Sequence, residues 1–259
     1  MSTPRPAPWL YFALVFVISV PIWLACSRTD VQLMPGLPLS AVAVVVPATA
    51  ALILAWRQGG PAGARALLAR AVDAGRVRPR SWWLLLVLLA PAALAIAWAA
   101  MRLAGRAIPL PAVAAGPSLA MLAIFLVAAV CEELGWSGYA VDPLQARLGA
   151  LPAALVIGGV WAIWHFVPLL QAHRAPVWIA WWTLGTVATR VIMVWLYNHT
   201  GRSVAGEAVF HAMSNLAWQL FPVRGSFYDP AFGAPVLAGI ALLAILVSGR
   251  RMFRRPATS

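Results

Sequence analysis

Eight apolar runs, each long enough to cross a bilayer, leave this chain almost no choice of fold class. They lie near residues 9–26, 37–56, 82–104, 117–137, 151–170, 176–197, 203–221 and 231–249. A helix needs ~20 residues, at ~1.5 Å of rise each, to span the hydrocarbon core. In lipid only helices and closed barrels satisfy their own backbone hydrogen bonds, and no segment alternates with the period of two that barrel strands require. The expected architecture is all-α: a polytopic integral membrane bundle of about eight transmembrane helices, forming a single membrane-embedded domain over residues 1–259. The connections leave no room for a soluble domain.

Arginine sets the expected orientation, because the sequence contains no lysine. With the N-terminus inside, thirteen of the nineteen arginines face the cytoplasm, among them Arg57, Arg65, Arg70, Arg76, Arg78, Arg80 and the tail pair Arg250 and Arg251. Five face the other side and Arg190 lies within the sixth helix. The protein is therefore expected to be a multi-pass protein of the cytoplasmic membrane with both termini cytoplasmic. A formal charge of +12 invites a nucleic-acid reading, but these arginines flank membrane helices instead of interleaving with aromatics on a soluble face. Anionic membrane lipid is the expected partner, and no nucleic acid. The stretch 57–80 places Leu67, Leu68 and Val72 among arginines, which suits a short helix lying on the membrane surface. The first run follows one arginine and ends in a WLAC sequence, but Trp23 and Leu24 fit a cleavage site poorly, so that helix is expected to be retained. Cys26 and Cys131 sit on different helices and form neither a disulfide framework nor a metal pair.

Against 63% hydrophobic composition and only seven acids, Glu132, Glu133 and Glu207 stand out because they fall inside apolar runs. An ionisable group at the bilayer centre costs at least ~2.5–3.5 kcal/mol on insertion scales, so it normally faces partners or a polar cavity. His165 and His211 are also intramembrane, and Asn215 shares a helical face with His211 four residues away. In an antiparallel helical hairpin, residues equidistant from the turn sit at equal depth. Glu133 and His165 are each sixteen residues from Gly149, and Arg190 and His211 are equally far from the turn at Thr200 and Gly201. Apart from Glu207, the intramembrane polar groups can therefore share one layer.

These residues resemble the CPBP intramembrane proteases, the family that includes the enzymes cleaving prenylated CAAX proteins. The glutamate pair begins Glu132-Glu133-Leu134-Gly135-Trp136-Ser137-Gly138-Tyr139. Three residues separate Trp161 from His165, with Trp in place of the usual Phe, and three separate His211 from Asn215. The resemblance covers roughly residues 117–220, helices four to seven, which would form the catalytic core. It implies an intramembrane endopeptidase acting on a membrane-associated or prenylated-type protein or peptide, with Glu132 as principal base. The alternative is a non-catalytic membrane binding or scaffolding protein of the same fold. One departure concerns charge: Ser137 stands where the family has arginine, and Arg190 is the cation at the right depth to compensate. On charge alone, Ser137→Arg is expected to be tolerated.

Two adjacent carboxylates in a low dielectric do not both ionise easily, so one is suited to take a proton from water and return it to a leaving amine. His165 and His211 either bind a divalent metal such as zinc or hold the water and the oxyanion themselves, with Asn215 completing the oxyanion site. The catalytic candidates are thus Glu132, Glu133, His165, His211 and Asn215, supported by Arg190 and Trp161. HExxH spacing is absent.

The orientation is testable. A cysteine placed at Ala74 should resist membrane-impermeant labelling in intact cells and react only after permeabilisation; ready labelling from outside would invert the topology.

Overall fold

A computed structural model describes residues 6–34, 36–111, 113–220 and 227–252. Arg5, Arg224, Arg254 and Arg255, which entered the orientation argument, lie outside the described residues. The elements are α1 (Pro8–Cys26), a small antiparallel hairpin of β1 (Gln32–Met34) and β2 (Leu37–Pro38), α2 (Val46–Ala69), α3 (Trp82–Leu103), α4 (Ala115–Gly135), α5 (Asp142–Leu148), α6 (Ala150–Trp164), α7 (Phe166–Gln171), α8 (Pro176–His199), α9 (Val204–Gln219) and α10 (Pro230–Ser248). A 3-10 turn (Leu39–Val45) leads into α2 and a π-helical turn (Trp136–Val141) joins α4 to α5. Among the described residues, seven helical segments are long and apolar enough to cross a membrane. The protein is a multi-pass helical membrane bundle.

All eight apolar runs are helical, with three departures from the simple pattern. The seventh run gives α9, whose sixteen residues rise only ~24 Å. It is clasped between α3 and α4, so it need not reach both interfaces. The fifth run is interrupted at His165, between α6 and α7. Pro168 lies one turn later and has no N–H to offer the carbonyl of Trp164, so the helical ladder breaks there. The stretch 57–80 starts inside α2, where non-helical backbone at Gly60 (φ 59°, ψ −153°) divides that element into two helical parts; the second, shorter part runs to Ala69 and is followed by a 3-10 segment (Arg70–Arg76). Leu67 turns into the core while Leu68 and Val72 remain exposed.

That segment is fastened across one end of the bundle. Arg70 donates to the carbonyl of Gly138 at 3.0 Å, to the Tyr197 hydroxyl at 2.8 Å and to the carbonyl of Arg202 at 2.6 Å. Asp73 accepts from Ser203 Oγ at 2.8 Å and from the Ala205 amide at 3.0 Å. Ser203 in turn caps α9 by accepting from the Gly206 amide at 3.0 Å. Orphan donors at the start of α9 are thereby satisfied by its own cap and by a neighbouring segment.

Packing follows membrane rules. Large side chains such as Val17, Leu88 and Leu246 point outward, where lipid is as apolar as they are. Small residues, including Ala90, Ala93, Ala97, Ala153 and Ala154, fill the helix contacts and let backbones approach closely. Gly135, immediately after the glutamate pair, is the tightest case. A β-carbon there would sit 2.6 Å from the Pro47 carbonyl oxygen and would also strike the Tyr11 hydroxyl.

A glycine-to-alanine change inside a helix ordinarily gains ~1 kcal/mol. At Gly135 the overlap reverses the sign, and Gly135→Ala should destabilise by ~1–3 kcal/mol, the usual cost of overpacking, read as a lower thermal midpoint in detergent. A midpoint at or above that of the parent protein would contradict the close approach of α4 to α2.

Candidate active site

The last turn of α4 carries two acids whose side chains diverge by ~100° around the helix, and the structure gives them different surroundings. Glu133 points toward α8 and α9 and is fully buried. Arg190 of α8 grips it with both terminal nitrogens, Nη1 to Oε2 at 2.8 Å and Nη2 to Oε1 at 3.0 Å. Ser137 Oγ donates to Oε2, and His211 Nδ1 of α9 lies 3.0 Å from Oε1. Both members of the ion pair have zero exposure. Removing two charges from water costs several kcal/mol per ion, and only a fully hydrogen-bonded geometry offsets that cost. Here the two carboxylate oxygens share four donors. Arg190 pairs with Glu133 and not with Glu207. Both oxygens of Glu207 lack a hydrogen-bond partner among the described residues although the side chain is fully buried.

Glu132 faces α6. Its Oε2 accepts from Trp161 Nε1 at 2.7 Å and from Trp136 Nε1 at 3.3 Å. The residue keeps 5% exposure, so it sits at the edge of the buried layer. His165, half-buried at the break between α6 and α7, directs Nδ1 to the Trp161 carbonyl at 2.8 Å. A carbonyl can only accept, so His165 carries its proton on Nδ1 and leaves an Nε2 lone pair. The same reasoning applied to the Glu133 carboxylate puts a proton on His211 Nδ1. Asn215 lies one turn past His211, half-buried, and makes no side-chain hydrogen bond among the described residues.

The structure thus brings Glu133, Arg190 and His211 into direct contact, and it connects Glu132 and His165 through Trp161. Glu133 and His165 do not touch. The donor set does not fit a tightly held zinc: among the described residues no three His, Cys, Asp or Glu side chains gather in a metal-ligating group.

Sequence reasoning missed the two indole donors. Trp136 was legible in principle, since it stands four residues after Glu132 on the same helical face. Trp161 was visible as a motif aromatic but not as a hydrogen-bond donor to an acid on another helix. The expectation for Ser137→Arg is reversed. Ser137 is 1% exposed and its Oγ touches both Glu133 and Arg190, so an arginine there would meet a second guanidinium in a filled, fully buried site.

A comparison with known protein families matches the part of the chain that carries these residues. Residues 114–217, from the start of α4 to the last turn of α9, match the family model described as type II CAAX prenyl endopeptidase Rce1-like. A CAAX prenyl protease 2 from Methanococcus maripaludis is 28% identical over 142 residues, which are 51% of this chain and 51% of that protein. The match spans about half the length of that curated relative.

The charge arrangement predicts a compensating pair. Arg190→Ala leaves a buried carboxylate without its cation and should cost ~3–5 kcal/mol, while Ser137→Arg alone should destabilise through crowding and like charge. The double variant should be more stable than either single one, because the new guanidinium can fill the vacated volume beside Glu133. A double-mutant cycle on thermal stability measures this, and strict additivity would refute it.

Proposed function

We propose, from the match of residues 114–217 to the Rce1-like family model, that the chain is a CPBP-type, CAAX protease-like intramembrane endopeptidase that hydrolyses a peptide bond with a Glu132-activated water. The carrying observation is that Glu132, His165, His211 and Arg190 all converge on Trp161 within one buried layer. Such a layer is expensive in lipid unless it serves a purpose.

In the proposed chemistry the two acids divide the work. Glu133 is occupied by Arg190, Ser137 and His211 and holds the scaffold. Glu132 has Oε2 engaged by indoles and Oε1 available as the base. A water between Glu132 Oε1 and His165 Nε2 loses a proton to Glu132 as its oxygen attacks the scissile carbonyl carbon. The oxyanion is met by Nε2–H of a His211 imidazolium backed by Glu133, and by the Asn215 amide. When the C–N bond breaks, Glu132 returns its proton to the leaving nitrogen, so the cycle balances without a covalent intermediate. No step passes through a metal.

The proposed substrate is a membrane-associated or prenylated-type protein or peptide, entering from the bilayer. The proposed setting is the cytoplasmic membrane, with both termini cytoplasmic and anionic lipid around the arginine-rich end. The name of the Methanococcus maripaludis relative, CAAX prenyl protease 2, supports the prenylated class.

The test is incubation of purified protein in lipid with prenylated peptides and membrane-protein substrates, reading new termini by mass spectrometry. Cleavage should fall at least 10²-fold in Glu132→Ala, the lower range for loss of a general base. Absence of any new terminus in the parent protein, or equal cleavage by Glu132→Ala, would leave a non-catalytic membrane scaffold as the better reading.

A further inference from the structure

Every residue of the layer except Asn215 touches Trp161 or is held by something that does. Its indole N–H donates to Glu132 Oε2 at 2.7 Å. Its carbonyl accepts from His165 Nδ1 at 2.8 Å. Its ring meets the His211 ring edge-on with centroids 5.3 Å apart, and the Arg190 guanidinium lies over it at 4.3 Å. The side chain is only 6% exposed, so the ring has little freedom to reorient.

We infer that Trp161 is the positioning residue of the site: it selects Oε1 of Glu132 as the working oxygen and ties that carboxylate to the Glu133–Arg190 pair. The inference deepens the endopeptidase reading and rests on it for its kinetic consequences. Two carboxylate oxygens are chemically equivalent until something distinguishes them. Here both indole donors converge on Oε2, and no protein group is bonded to Oε1 among the described residues. A carboxylate anchored at one oxygen by two N–H groups holds the other in a fixed direction, which is what a general base needs to meet a water in line. The shorter bond belongs to Trp161 and the longer to Trp136, so Trp161 dominates.

The cation above the ring matters for a separate reason. Arg190 pairs with Glu133 directly and stacks on Trp161, and a cation over an indole face is favoured most when desolvated. One guanidinium therefore fixes Glu133 by ion pairing and Glu132 through the ring. A phenylalanine at this position could preserve the stacking but has no N–H, so the contribution of the donor can be isolated.

Trp161→Phe and Trp136→Phe separate the two donors. Loss of a hydrogen bond to a charged acceptor corresponds to roughly ten- to a hundredfold. Trp161→Phe is expected to lower kcat by at least about tenfold with KM within about twofold, since the ring and its stacking remain, while Trp136→Phe has the smaller effect. Full kcat in Trp161→Phe, or a loss confined to KM, overturns the inference even when the parent enzyme cleaves as proposed. A second measurement needs no activity: indole N–H resonances of ¹⁵N-Trp-labelled protein, with those of Trp136 and Trp161 assigned through the Phe variants. In Glu132→Gln these two should move while most of the fourteen tryptophans stay in place. An unmoved Trp161 resonance refutes the bond itself, whether or not any substrate is cleaved.

Discussion

The fold is organised around one buried ion pair, Glu133 with Arg190. Both side chains have zero exposure, in a layer flanked by lipid. Neither charge could be held there alone, because an isolated charge in a low dielectric is far more costly than a paired one. The pair therefore dictates that α4 and α8 lie within reach of each other at that depth, and His211 adds α9 to the same requirement. The guanidinium plane then gives Trp161 of α6 a surface to stack on. Four helices are thus registered by interactions that tolerate little displacement.

Around this layer the apolar packing has a different character. Lipid supplies no hydrophobic force between helices, so close fit between small residues carries the contacts. Alanine and glycine on α3, α4 and α6 bring backbones near enough for short polar side chains to meet. Gly135 shows the link: without its close contact with α2 and α1, the turn bearing both glutamates would stand off from the core. At one end of the bundle, Arg70 and Asp73 fasten the 3-10 segment to the π-helical turn and to the start of α9. This limits sliding of α9, on which the position of His211 depends.

Two adjacent acids with unlike environments are a recurring way for one site to hold a fixed charge and a working base together. Glu133 is saturated by donors, and a saturated carboxylate is a poor base. Glu132 is anchored on one side and retains a little exposure. The division of roles in the proposed mechanism comes from this asymmetry and not from the order of the residues in the chain.

Much of this was legible in the sequence, because a bilayer reduces the possible backbone states to very few and an apolar run of ~20 residues has one natural outcome there. The same constraint made the intramembrane acids and histidines conspicuous, and counting residues from the hairpin turns placed Arg190 and His211 at one depth. Depth is set by rise per residue, which sequence fixes. Azimuth is not: which face of each helix meets which neighbour is decided by packing among all the helices together. Hence which of the two glutamates takes Arg190, the indole donors from Trp136 and Trp161, the break at His165 and the filled space around Ser137 emerged only from the tertiary structure. Charge counting and depth nominated Arg190 to make up for the arginine absent at Ser137, but left room for a second one there. Arg190, fifty-three residues further along the chain, already fills that space, because a buried charge recruits whichever cation the fold can bring near and not the one nearest in sequence.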